Sequence, residues 1–280
     1  MSYLVDSHCH LDRLDLSPWD GRLDGALDNA RQYGIGHMLC VSISLEEYPA
    51  ILEIARRHDN VSLSVGVHPN ESEGKEPEGK EPDTTELLRL ADDPKVVAIG
   101  ETGLDYFRQS KNSDLEWQRE RFRQHIAAAK QCGKPLIIHT RESTEDCIRM
   151  LKEEGADEVG GVMHCFVENW DIAQQCMELN FYISFSGIVT FKSARELQEV
   201  ASKMPIERML VETDSPYLAP VPYRGKSNQP AYTRLVAEHI AGLRGTTVDT
   251  IAEQTTHNFF TLFKHAKRHD SAARLEPLSE

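Results

Sequence analysis

The chain reads as a (β/α)8 barrel, and three observations carry that reading. Eight short β-rich runs, at residues 3–5, 37–41, 61–67, 96–99, 136–138, 161–163, 181–185 and 209–211, alternate with stretches of helical periodicity. The length, 280 residues, sits close to the ~250 typical of such barrels. Metal-preferring side chains also stand at the ends of several runs: His8 and His10, Glu101, His139, His164 and Asp214. An open parallel sheet is the competing fold. It would need a Gly-rich phosphate loop after the first strand, where His8-Cys9-His10 stands instead.

The helices are expected between the runs, at residues 23–33, 48–57, 115–130, 172–179 and 197–204 among others, where apolar residues recur at helical spacing. Within a strand, side chains at i and i+2 share a face. Leu4, Asp6, His8 and His10 are therefore expected to point one way and Cys9 the other, toward the helices. The same rule pairs Ile99 with Glu101, Ile137 with His139, Val162 with His164, and Leu210 with Glu212 and Asp214. Apolar residues would fill the lower barrel, with a potential ligand at the last inward position of each strand. Asp6 and Glu212 would lie just below that layer, and at least one is expected to orient a ligand.

In a parallel barrel such strand ends converge on one mouth. The six side chains supply enough ligands for two divalent cations sharing a bridging water, a centre that hydrolyses phosphate esters, amides or related bonds. A lone His-x-His pair is weak evidence in a chain with 12 His. The weight rests on coincidence at several strand ends. His58, His125, His239, His257, His265 and His269 fall in helices or the tail and are expected to be solvated, and His37 has no evident partner.

The order and wording of these segments closely resemble the TatD family of metal-dependent hydrolases, in particular its YcfH-like branch. The resemblance runs through VDSHCHLD (residues 5–12), GVHP (66–69), IGETGLDY (99–106), PLIIHTR (135–141), HCF (164–166), YISFSGIVTFK (182–192), LVETDSPYLAPVPYR (210–224) and residues 225–230. It implies an amidohydrolase-type barrel that acts as a deoxyribonuclease, commonly 3′→5′ on single strands or ends, through two-metal activation of a bridging water. Carried onto this chain, it makes His8 and His10 ligands of one cation and His139 and His164 ligands of the second. Glu101 becomes the bridge, and Asp214 completes the site and is the residue to accept the water's proton. An imidazole-rich set suits Zn, Mn, Ni or Co, whereas Mg prefers oxygen ligands; the resemblance keeps Mg among the candidates, and the residues do not choose between them.

Substrate contacts are expected from Arg141, two residues beyond His139, from His68, and from Arg224 and Lys226 in the Pro/Gly-rich loop after the eighth strand. Tyr106, Phe107, Phe166 and Tyr217 are candidates for stacking on bases. The charge balance restricts the partner. With 45 acidic and 31 basic residues the net charge is −14, which disfavours a duplex-coating protein and favours DNA ends or short oligonucleotides entering the metal pocket. Part of that excess is local, because residues 71–83 carry six acids and two lysines. They read as a flexible acidic insertion in a single domain of residues 1–265, with residues 266–280 a disordered tail.

Two other functions compete. One is hydrolysis of small amides, esters, lactones or aminoacyl esters at the same binuclear site; the other is a non-enzymatic interaction protein on a relic barrel. Arg141, Arg224 and Lys226 favour phosphate, and a competent side chain at every ligand position disfavours a relic. Six Cys without a Cys-x-x-Cys pair, an N-terminus that leads at once into the first strand, and no apolar run of ~20 residues point to a cytoplasmic protein that does not engage membranes. No motif speaks to oligomeric state.

Overall fold

The structure is a computed structural model that describes residues 2–70, 81–107, 115–269 and 273–275. Eight strands pair in parallel in sequence order: β1 (Leu4–Cys9), β2 (Ile35–Cys40), β3 (Val61–Val65), β4 (Val96–Asp105), β5 (Leu136–Arg141), β6 (Gly161–Met163), β7 (Phe181–Phe185) and β8 (Met209–Val211). The ring closes at its C-terminal rim. There Cys9 bridges Ser215, the Asp214 N–H donates to His8 O at 2.9 Å, and the His10 N–H donates to Ser215 O at 2.9 Å. The barrel expected from sequence is the fold observed.

Nine α-helices are found among the described residues: α1 (Leu23–Gln32), α2 (Tyr48–Arg57), α3 (Thr84–Ala91), α4 (Glu116–Cys132), α5 (Thr144–Glu153), α6 (Trp170–Glu178), α7 (Arg195–Lys203), α8 (Thr233–Arg244) and α9 (Val248–Leu262). Local chemistry sets several ends. Asp83 caps α3 by accepting the Glu86 N–H at 2.9 Å, and Asn169 caps α6 by accepting that of Ile172 at 3.1 Å. Gly133 ends α4 in the left-handed region, φ 67°, where a Cβ is disfavoured. Each helix turns small and aliphatic residues inward, as α1 does with Ala26, Leu27 and Ala30.

The core divides into two clusters. Val5, Leu39, Val41, Val97, Ala98, Ile137, Val162, Tyr182 and Leu210 fill the barrel interior, and α9 adds Phe259 and Phe263. The larger cluster packs the outward strand residues, among them Leu4, Cys9 and Ile99, against the helices. This corrects the strict two-residue alternation on two strands. Ile137, Val162 and Leu210 share the interior as expected, but Leu4 and Ile99 face the helices. Register shifts between Asp6 and Cys9 in β1, and between Ile99 and Thr102 in β4, reset the facing just before the site residues. The irregularities therefore sit where His8 and Glu101 are re-aimed.

Of the expected acidic insertion, residues 71–80 lie outside the described residues. At its far end Glu81 pairs with Arg121, both carboxylate oxygens 2.6 Å from guanidinium nitrogens. The tail differs from expectation at residues 273–275. Ala273 is fully buried in the interior cluster and Leu275 packs against the outer one.

Candidate metal centre

Five imidazoles surround one buried carboxylate. Glu101 Oε1 lies 2.9 Å from His164 Nε2, 3.1 Å from His139 Nδ1 and 3.4 Å from His68 Nε2. Its Oε2 lies 3.4 Å from His8 Nε2 and 4.0 Å from His10 Nε2. Asp214 faces the same space from beyond β8, with Oδ1 3.4 Å from His10 Nε2 and 3.7 Å from His8 Nε2. It sits at φ 56°, and the rim bonds to His8 and Ser215 hold that turn.

The close approach of β4 to β5 that brings Glu101 to His139 requires glycine. A Cβ on Gly103 would lie 2.0 Å from His139 O. Beyond β8, Asn228 is buried and its side-chain amide donates to Thr213 O at 2.8 Å and to Tyr217 O at 2.6 Å, tying down the loop that carries Asp214.

Acceptors stand behind three of the imidazoles. Val41 O lies 3.2 Å from His10 Nδ1, Asp105 Oδ2 3.2 Å from His139 Nε2, and Glu212 Oε1 3.2 Å from His164 Nδ1. Each such partner takes the proton on the far nitrogen and turns a lone pair toward the centre, the arrangement usual for metal-ligating histidine. Glu212 thus lies against the far nitrogen of His164, the placement expected of an orienting residue. Asp6 instead accepts from the backbone N–H groups of Thr213 and His8 and bonds the Thr213 hydroxyl.

Positive charge is favoured here. Burial opposes charging of His164, but Glu101 and Glu212 outweigh it and hold its pKa well above the usual imidazole value. Burial pushes the Glu101 carboxyl up, yet His164, His68 and His8 hold it well below the ordinary range, and Asp214 is likewise lowered by His10, His164 and His8 against its burial. His8 goes the other way, lowered by burial and by stacked His164, whose ring centroid is 3.8 Å away. Both His8 ring nitrogens are buried without a hydrogen-bond partner, and a cation would satisfy Nε2, the one that faces Glu101 and Asp214. Three sets have the spacing to hold a cation: His8, His10 and Glu101; His8, His164 and Asp214; and His68, Glu101 and His139. The residues fit divalent metal.

All six expected ligands thus meet in one place, and His68 joins them. Arg141, at the end of β5, and Arg224 and Lys226, in the loop after β8, remain exposed at the rim. The Arg141 guanidinium carbon lies 3.5 Å over the Phe107 ring and that of Arg224 4.4 Å over Phe191, while Lys226 Nζ is 5.7 Å from the Tyr223 ring. Tyr217 is 52 % exposed beside His10. The other stacking candidates differ from expectation. Phe166 is buried in the core, and the Tyr106 hydroxyl donates to Asp146 with Arg119 over its ring, so it joins α4 to α5.

His125 is not solvated either. It is fully buried, its Nε2 accepting the Val67 N–H at 3.0 Å and its Nδ1–H donating to Arg121 O at 2.7 Å. His37 has a partner, Ser62 Oγ at 2.9 Å, and lies against Phe259 and Phe260. Sequence reasoning assigned no role to Asp105 or Asn228. Asp105 had a signal, since it stands in the same segment, IGETGLDY, as Glu101; Asn228 had none.

A parallel eight-stranded barrel with this His/carboxylate cluster at its C-terminal rim defines a metal-dependent hydrolase. The chain belongs to the TatD family: residues 5–264 match the family model described as TatD related DNase. It is 44 % identical over 277 residues to the uncharacterized metal-dependent hydrolase YcfH of Escherichia coli K12, covering 99 % of each chain. It is 33 % identical over 246 residues, 86 % of this chain and 92 % of the relative, to a protein of Enterobacter lignolyticus named 3′-5′ ssDNA/RNA exonuclease TatD. Among solved structures, the TatD homologue YJJV of E. coli K12 superposes with a TM-score of 0.81 at 26 % identity, covering 93 % of this chain and 98 % of that one.

Proposed function

We propose that this hydrolase cleaves phosphodiester bonds of DNA, working 3′→5′ on single strands, ends or short oligonucleotides. His8, His10, His139, His164, Glu101 and Asp214 would hold two divalent cations, with Glu101 shared. Such cations, when bound, supply Lewis acidity that acidifies water and neutralises charge on phosphate oxygens.

The chain's own groups do the rest. Asp214 Oδ1 faces His8 and His10, which leaves Oδ2 to accept a proton from the attacking water. Arg141 and Arg224, splayed over Phe107 and Phe191, present guanidinium edges for flanking phosphates. Neither makes an ion pair among the described residues, although the chain carries net charge −14. That pair of stacked cations, without ion-pair partners among the described residues, is the observation that carries the phosphate reading. The relative named as a single-strand exonuclease supports it.

The test restores metal-free protein with Mg, Mn or Zn and supplies end-labelled single-stranded DNA, RNA and duplex. Stepwise loss from the 3′ end, abolished in both Glu101→Ala and Asp214→Ala, is expected. No nucleolysis with any metal, alongside turnover of simple esters or amides, would replace this reading with the small-substrate one.

A further inference from the structure

The imidazoles around Glu101 are not wired alike. For His10, His139 and His164 the ring nitrogen facing away from the centre meets an acceptor: a carbonyl, Asp105 and Glu212 respectively. His68 is reversed. Its far nitrogen, Nδ1, receives the backbone N–H of Asn70 at 3.0 Å. A backbone amide can only donate, so Nδ1 keeps its lone pair there and the ring's single proton sits on Nε2. That Nε2 points into the centre, 3.4 Å from Glu101 Oε1.

The backbone around His68 is fixed from both sides. Its N–H donates to Ile43 O at 2.9 Å, and its carbonyl accepts from Arg121 Nη1 at 2.8 Å. Arg121 is anchored in turn by Glu81. The preceding residue, Val67, is held by His125, whose other nitrogen bonds Arg121 O in the same helix α4. An N–H held this firmly is organised before any ligand arrives, which is what makes a donor effective toward developing negative charge.

We propose that His68, although it has the spacing to share a cation with Glu101 and His139, is not a metal ligand but a catalytic hydrogen-bond donor, its Nε2–H directed at an anionic oxygen of the reacting phosphate. The identity of that oxygen rests on the phosphodiesterase reading above; the donor tautomer does not. Arg121 and His125 act through His68 and are positioning residues.

Three readouts test this. Nitrogen NMR on protein carrying labelled histidine gives the His68 tautomer directly. The Nε2–H form is expected with and without bound Zn, whereas loss of that proton on adding Zn overturns the proposal. Metal content is the second. His68→Ala should bind as many cations as the wild type while His139→Ala binds fewer, and a cation lost from His68→Ala overturns it. Third, His68→Ala should cleave oligonucleotides about 100-fold more slowly, the scale for losing one such donor. His68→Gln, which restores an amide N–H, should regain part of that rate. Equal loss in both variants overturns the catalytic role. If His68→Ala fails to fold, the metal content of His68→Gln takes its place. A protein that cleaves no nucleic acid leaves the first two readouts intact, so failure of the substrate reading is distinguishable from failure of this one.

Discussion

Glu212 Oε1 lies 3.2 Å from His164 Nδ1 and accepts the backbone N–H of Cys165 at 2.7 Å, so one carboxylate aligns both the ring and the main chain of an expected ligand. Glu212→Ala should weaken metal binding by about 10- to 100-fold, as loss of an orienting partner does. Competition against a chelator measures this, and unchanged affinity would remove Glu212 from the account.

Asn228 does comparable work for Asp214. Replacing it with Ala strands the buried carbonyl of Thr213 and the partly buried one of Tyr217, and should cost about 2 kcal/mol in denaturant unfolding. Asn228→Asp should be worse, because an acceptor then faces two acceptors. Equal stability of the two variants would contradict this.

The fold and the metal-preferring residues were legible in the sequence because both depend on pattern. Strand runs alternate with helices, and His139 and His164 follow interior residues by two positions and Asp214 by four. What lay beyond pattern was the register. Nothing local marks the shifts in β1 and β4 that take Leu4 and Ile99 to the helix side while His8 and Glu101 reach the interior. Long-range partners were equally out of reach. Val41 behind His10 is more than thirty positions away, and His125 becomes a buried brace only when α4 packs against β4 and reaches Val67 in the segment after β3. His68 was recognised as a mouth residue, but its inward donor depends on a bond to Asn70 that no motif reveals.

His37 predicts an acid-sensitive base to the barrel. Burial pushes its pKa down to about 3, with His269 and Lys95 adding to the shift. In the unfolded chain it protonates near 6.5, so the unfolded state takes up the proton first as pH falls. Stability from this residue is complete above about pH 6.5 and is lost on the way down to about 3, with a slope approaching about 1.4 kcal/mol per pH unit. His37→Gln should flatten the fall between pH 6.5 and 5 in urea unfolding. An unaltered slope would count against it.

Arg141→Ala and Arg224→Ala should each raise KM for oligonucleotides about 10-fold and reduce the salt dependence of binding, with kcat less affected. Variants that lower kcat alone would move these side chains from the rim into the chemistry.

We propose that Glu101, among five imidazoles, is shared by two cations. Counting metal per chain by mass spectrometry, after loading and desalting wild type and Glu101→Ala, addresses it most directly. Two per chain in the wild type and fewer than one in the variant are predicted; two retained in Glu101→Ala would contradict the account.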